Sequence, residues 1–238
     1  MSRDVPLGAT ALLALFVTAL VTSQLTAAKL LGFQLPFSIP VAGAQLILPG
    51  AAVAYALTYF ASDCYAELYG KIAAQRMVNV AFFMNFVMLA LVYSTVVAPA
   101  APINAVPSSA YESVLLQSAN IVGASLLAYL VSQNWDVVVF HAIRDVTGKD
   151  KLWLRNIGST ATSQILDTVL FVGVAFYVLP RAGLNPQLGL PLSAIAALMV
   201  GQYLLKLTVA VVDTPFVYLV TNLVRSSESG HADPIVSD

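Results

Sequence analysis

The chain has 238 residues, of which 59% are hydrophobic and 10% charged. A soluble domain carries roughly 25% charged residues, so a water-soluble globule is excluded. Eleven Lys and Arg against twelve Asp and Glu leave a net charge of −1, which gives nucleic acid no basic field to bind. One cysteine, Cys64, and two distant histidines, His141 and His231, exclude a disulfide framework and zinc sites built on paired cysteines. No metal or cofactor is expected.

At about 20 apolar residues per spanning helix, the sequence reads as an all-α membrane protein. It places six transmembrane helices in one domain over residues 1–225. The first span, 7–31, is longer than the apolar core of about 7–15 residues in a signal peptide. The second, 44–68, is interrupted by Pro49 and carries Asp63 and Glu67 near its end. The third covers 78–98, and Pro99, Pro102 and Pro107 then mark a charge-free loop. The fourth, 112–140, ends in the polar run Gln133, Asn134, Trp135 and Asp136. The fifth covers 153–179, a Pro- and Gly-rich stretch turns the chain, and the sixth covers 192–224. Residues 226–238 read as a disordered tail.

Arg3, Lys71, Arg76, Arg144, Lys149, Lys151, Arg155 and Arg225 all fall on one side of this layout, and the alternate loops hold only Arg181. The positive-inside rule therefore predicts a multi-pass protein of the cell membrane with both termini in the cytoplasm.

The remaining charges lie inside the spans. Counting a rise of about 1.5 Å per residue from each span's centre, Asp167 falls at mid-bilayer with Gln164 and Ser163 beside it, and Lys206 lies at nearly the same depth. Asp213 follows on the same helix face, and Asp63 comes to a similar inner depth. A charge at the bilayer centre costs about 2.5–3.5 kcal/mol on insertion scales, so these groups must be paired, neutralised or hydrated. Asp167 and Lys206 are expected to face each other across spans five and six in the wall of a polar cavity. Lys29 could simply snorkel, and Glu67 could sit at the inner interface. His141 and Asp145 lack a nearby nucleophile, so a hydrolytic site is not supported. On span one, Thr10, Ala14, Thr18, Thr22 and Thr26 form a smooth stripe beside the row Ala19, Ser23 and Ala27. Close packing of another helix inside the bundle is expected there, as it is at Gly123, Ala124 and Ser125.

The segment Lys151-Leu-Trp-Leu-Arg155-Asn156-Ile-Gly-Ser159-Thr160-Ala-Thr-Ser163-Gln164-Ile-Leu-Asp167-Thr168-Val-Leu-Phe171 closely resembles the signature of the queuosine precursor transporter family, also called vitamin uptake transporters. Ser23-Gln24-Leu-Thr-Ala-Ala-Lys29 and Asp63-Cys-Tyr-Ala-Glu67-Leu-Tyr69-Gly70 stand in the family's order and spacing. The resemblance covers about residues 10–222, and it departs from many relatives at Ile157, where they carry a second Asn after the signature Arg. The six-helix layout is similar to that of the substrate-binding components of energy-coupling-factor importers. The resemblance implies uptake of 7-deazaguanine bases, the cyano or aminomethyl precursors used in tRNA modification, by a protein that is not an enzyme.

A base of this kind presents a ring N–H and an exocyclic amine beside a carbonyl, over a flat apolar face. A carboxylate accepts both donors, a cation or amide suits the carbonyl, and an aromatic ring suits the face. Asp167 or Asp63 supplies the carboxylate, with Asp167 preferred for the base edge; Lys206, Lys29 or Gln164 supplies the carbonyl partner. Ser163, Asn156, Ser159 and Thr160 are expected along the inner path, with Asn134, Gln202 and Asn85 as further polar groups. Arg155 is expected to meet Asp63 or Glu67 as an inner gate. Facilitated diffusion, proton coupling through a desolvated carboxylate such as Asp167 or Asp213, and docking on an ATP-driven energy-coupling module are the open modes. An intramembrane enzyme is the alternative of another class.

Overall fold

The computed structural model describes residues 6–147 and 152–229. Helix α1 (Leu7–Thr26) leads into an antiparallel hairpin of β1 (Leu30–Ile39) and β2 (Gly43–Pro49), followed by α2 (Ala52–Tyr69) and α3 (Lys71–Val97). A short α4 (Ser108–Leu115) precedes the long α5 (Gln117–Thr147). Then come α6 (Leu152–Gly173), a π turn at Val174–Val178, one further turn α7 (Leu179–Arg181), and α8 (Leu192–Ser229). By length and composition, 5 helical stretches can cross a membrane: Leu7–Thr26, Lys71–Val97, Ser108–Thr147, Gly158–Arg181 and Leu192–Asp213. The protein is thus an all-α membrane protein with a small β-hairpin. Helix α2 is not among the five, because four tyrosines, Asp63 and Glu67 dilute its 18 residues. It nonetheless packs against α1, α3 and α8.

The hairpin was not legible in the sequence, which placed residues 44–49 at the start of a helical span. Leu30 pairs with Pro49, Leu31 with Leu48, and Gly32 with Ile47, so Leu46, Ile47 and Leu48 are apolar because they face the bundle from a strand. Helix α2 consequently starts at Ala52. Two glycines let the hairpin base sink inward. A Cβ on Gly201 of α8 would collide with the Ile47 carbonyl oxygen, and one on Gly50 with the Thr26 carbonyl oxygen. The Gly50 N–H donates to the Lys29 carbonyl at 2.6 Å, closing the base.

On the hairpin side of the bundle the core joins Ile121, Ala124 and Ala128 of α5 to Phe171, Val172 and Phe176, and to Ile195 and Leu198 of α8. A second cluster joins Phe16 of α1, Ala61 of α2, and Met77 and Ala81 of α3. Small residues at these crossings let helix backbones approach closely. The threonine stripe of α1 does not take part: Thr10, Ala14, Thr18, Thr22 and Thr26 are all exposed. The neighbouring row Ala19, Ser23 and Ala27 is buried instead, in line with Leu12 and Phe16. Gly123 likewise faces outward while Ala124 is fully buried.

The turn before α8 is tied to α5 through side-chain amides. Asn185, in the left-handed region at φ 49°, donates to Asn120 Oδ1 and to the Leu116 carbonyl, both at 3.0 Å. Asn120 in turn donates to the Leu184 carbonyl at 2.7 Å.

Candidate functional site

The expected pairing across the fifth and sixth spans is present. Lys206 Nζ of α8 donates to Asp167 Oδ2 of α6 at 2.5 Å, and Lys206 is only 7% exposed. Ser132 of α5 donates to the other carboxylate oxygen, Oδ1, at 3.4 Å. Breaking such a pair strands a buried charge at a cost of about 3–5 kcal/mol, so the two residues depend on each other.

The pair stands where three cavities meet. On the hairpin side, Pro49 and Ala51 roof a space of about 30 Å³ that reaches Asp167, Lys206, Gln202 and Phe171; this is one water molecule's share of volume. A larger cavity of about 240 Å³ lies among α1, α2, α3, α5 and α6, and reaches from Asp167 past Ser132 to Phe82, Asn85 and Gln75. Gln24, Tyr55, Tyr59, Ser125 and Asp167 border both spaces. A third cavity, of about 220 Å³, runs from Lys206 and Gln164 to Asp63, Thr160 and Asp213. Tyr59 lines all three and meets Tyr55 edge to face at 5.3 Å between centroids. Aromatic rings thus line the cavities, with the ion pair at their junction and two further carboxylates, Asp63 and Asp213, in the third.

Three amide oxygens facing these spaces have no hydrogen-bond partner among the described residues: Gln202 Oε1, Gln164 Oε1 and Asn85 Oδ1. Leaving a buried acceptor unpaired costs about 1–3 kcal/mol. Gln202 lies four residues before Lys206 and Gln164 three before Asp167, so an unpaired amide flanks the ion pair on each side.

The other expected residues divide. Gln164, Asp63, Thr160 and Asp213 share a cavity with Lys206. Ser163 is buried and donates to Asp136 Oδ1 of α5 at 3.2 Å, which braces α6 rather than lining a cavity. Lys29 is exposed at the hairpin base, where its carbonyl rather than its ammonium is used. Asn134 is exposed and donates back to the Leu130 carbonyl at 2.6 Å, away from the pair. The cation at Glu67 is Arg225, with Nη2 at 2.7 Å from Oε1, where the sequence suggested Arg155. The side chains of Arg155 and Asn156 lie outside the described residues. Among the aromatic candidates, Tyr55, Tyr59 and Phe82 line cavities, while Phe83 and Phe86 are exposed. Sequence reasoning missed Ser132 and Tyr129. The spacing of Ser125, Tyr129, Ser132 and Asp136 marks one polar face of α5 and could have found them.

Apolar helices around a buried ion pair and polar cavities define a multi-pass membrane protein with a polar interior. Residues 49–220 match the family model described as "putative vitamin uptake transporter", and the chain belongs to that family of membrane transporters. It is 32% identical over 178 residues to a Bacillus subtilis (strain 168) protein named "probable queuosine precursor transporter", an alignment that covers 74% of this chain and 72% of the relative. No solved structure matches the chain.

Proposed function

We infer that this chain imports a queuosine precursor, a 7-deazaguanine base, across the cell membrane for tRNA modification. The observation that carries the reading is the Lys206–Asp167 pair, set on a cavity walled by Tyr55, Tyr59 and Phe82. The Asp167 carboxylate takes the ring N–H and exocyclic amine of the base, Lys206 takes its carbonyl, and the tyrosines cover its face. Binding then exchanges a protein–protein ion pair for protein–ligand hydrogen bonds, so charge is never left bare in the bilayer. The B. subtilis relative's name supports the same substrate class.

In this reading α2 is a sixth span, with Val53 and Leu57 exposed on one face, and residues 1–225 form one transporter domain. Both termini lie in the cytoplasm. The acid-lined cavity at Asp63 and Asp213 then opens toward the cytoplasm, and the hairpin closes the outer face. A neutral base needs no coupling ion to equilibrate, and its consumption into tRNA sustains the inward gradient, so a facilitator suffices. The cavity carboxylates are the groups that a proton-coupled cycle would use.

The test is uptake of labelled precursor by cells lacking their own synthesis pathway. Asp167→Asn and Lys206→Ala should each abolish uptake at normal protein abundance; preserved uptake in both overturns the site. Transport by vesicles containing this chain alone excludes dependence on an energy-coupling module.

A further inference from the structure

The ion pair accounts for one side of a guanine-like ligand and leaves Gln202 without a role. Gln202 is 6% exposed, its Oε1 has no partner, and it borders the same small space as Asp167 and Lys206. It stands four residues before Lys206 on α8, so the two side chains rise from one helix face about 5–6 Å apart.

We propose that Gln202 is a specificity-determining residue, its amide oxygen accepting the pyrrole N–H of a free 7-deazaguanine base. The chain then selects the base over any form substituted at that nitrogen, nucleosides included. This rests on the base-transport reading and deepens it. When the amine edge lies on Asp167 and the carbonyl on Lys206, the pyrrole N–H falls on the opposite side of the fused rings. Asp167 borders both cavities, while Lys206 and Gln202 border the 30 Å³ space and not the 240 Å³ one, so the base lies at their junction with its carbonyl and pyrrole edges on the side of the smaller space.

A substituent on the nitrogen meets two obstacles there. It removes the donor that Gln202 needs, and it runs into Pro49 and Ala51, which roof the space. That roof is held close, because the Ile47 carbonyl packs directly on Gly201, the residue beside Gln202. Sites built to hydrogen-bond a polar group reject analogues lacking it far more strongly than apolar pockets reject an extra methyl group.

The experiment is equilibrium binding to the purified full chain in lipid nanodiscs, with 7-aminomethyl-7-deazaguanine and its derivative methylated at the pyrrole nitrogen as probes. The wild type should prefer the free base by at least about 100-fold, and Gln202→Leu should reduce that preference to below about 10-fold. Gln202→Glu, which keeps an acceptor, should retain the preference. Gln202→Met replaces the leucine variant if that does not fold. Wild-type discrimination persisting in the leucine or methionine variant overturns the assignment of Gln202 alone, as does equal binding of both probes by the wild type. Binding of neither probe by the wild type overturns the base-transport reading itself and this assignment with it.

Discussion

The carbonyl oxygen of Ile47 occupies the space that a side chain on Gly201 would need. This contact joins the hairpin base to α8 one residue away from Gln202. Gly201→Ala must therefore push the strand off the helix, at a cost typical of overpacking, about 1–3 kcal/mol. Thermal unfolding in detergent measures it. Gly123→Ala is the control, since a Cβ there meets nothing within 4 Å. Equal melting temperatures for the two variants would show that the hairpin does not bear on α8.

The Lys206–Asp167 pair is best measured by a double-mutant cycle. Lys206→Met leaves a buried carboxylate and Asp167→Asn a buried ammonium, each expected to cost about 3–5 kcal/mol. The double variant removes both charges and should cost clearly less than the sum. Additive losses in stability would mean that the two side chains do not depend on each other.

The Glu67–Arg225 pair should behave oppositely. Both side chains are about half exposed, and exposed pairs contribute about 0–1 kcal/mol. Arg225→Ala should leave the melting temperature within a degree or two of wild type and leave precursor uptake unchanged. Loss of uptake at normal abundance would instead make this pair a gate.

The orientation is testable by labelling with an impermeant maleimide in a Cys64→Ser background. A cysteine replacing Arg181 should react on intact cells, whereas one replacing Lys71 should react only after permeabilisation. The reverse pattern would invert the topology and place the hairpin in the cytoplasm.

The Asp167–Lys206 pair could be read from the sequence because a charge in lipid has few ways to be tolerated. Asp167 and Lys206 fall at one depth on neighbouring helices, and pairing follows from cost alone. The hairpin was hidden for a related reason. A short apolar run such as Leu46-Ile-Leu48 has no period that separates strand from helix, and in a hydrophobic chain the next helix absorbs it. The threonine stripe misled because small residues are equally at home against lipid when their hydroxyls are satisfied locally. The Thr26 hydroxyl donates to the Thr22 carbonyl at 2.8 Å and needs no other helix. Glu67 pairs with Arg225 because α2 and α8 pack together, a proximity that sequence order does not announce.

Helix α2 also raises a question of biogenesis. Its polar composition, four tyrosines with Asp63 and Glu67 toward its C-terminal end, gives it little reason to leave an insertion channel for lipid by itself. Gly70, at φ 89° and ψ 161°, is the one residue between α2 and the strongly apolar α3. With α2 as the sixth span proposed above, two helices joined this tightly are expected to enter the bilayer as one unit. Replacing Gly70 with a bulky residue would then be felt first as low membrane yield, before any loss of transport per molecule.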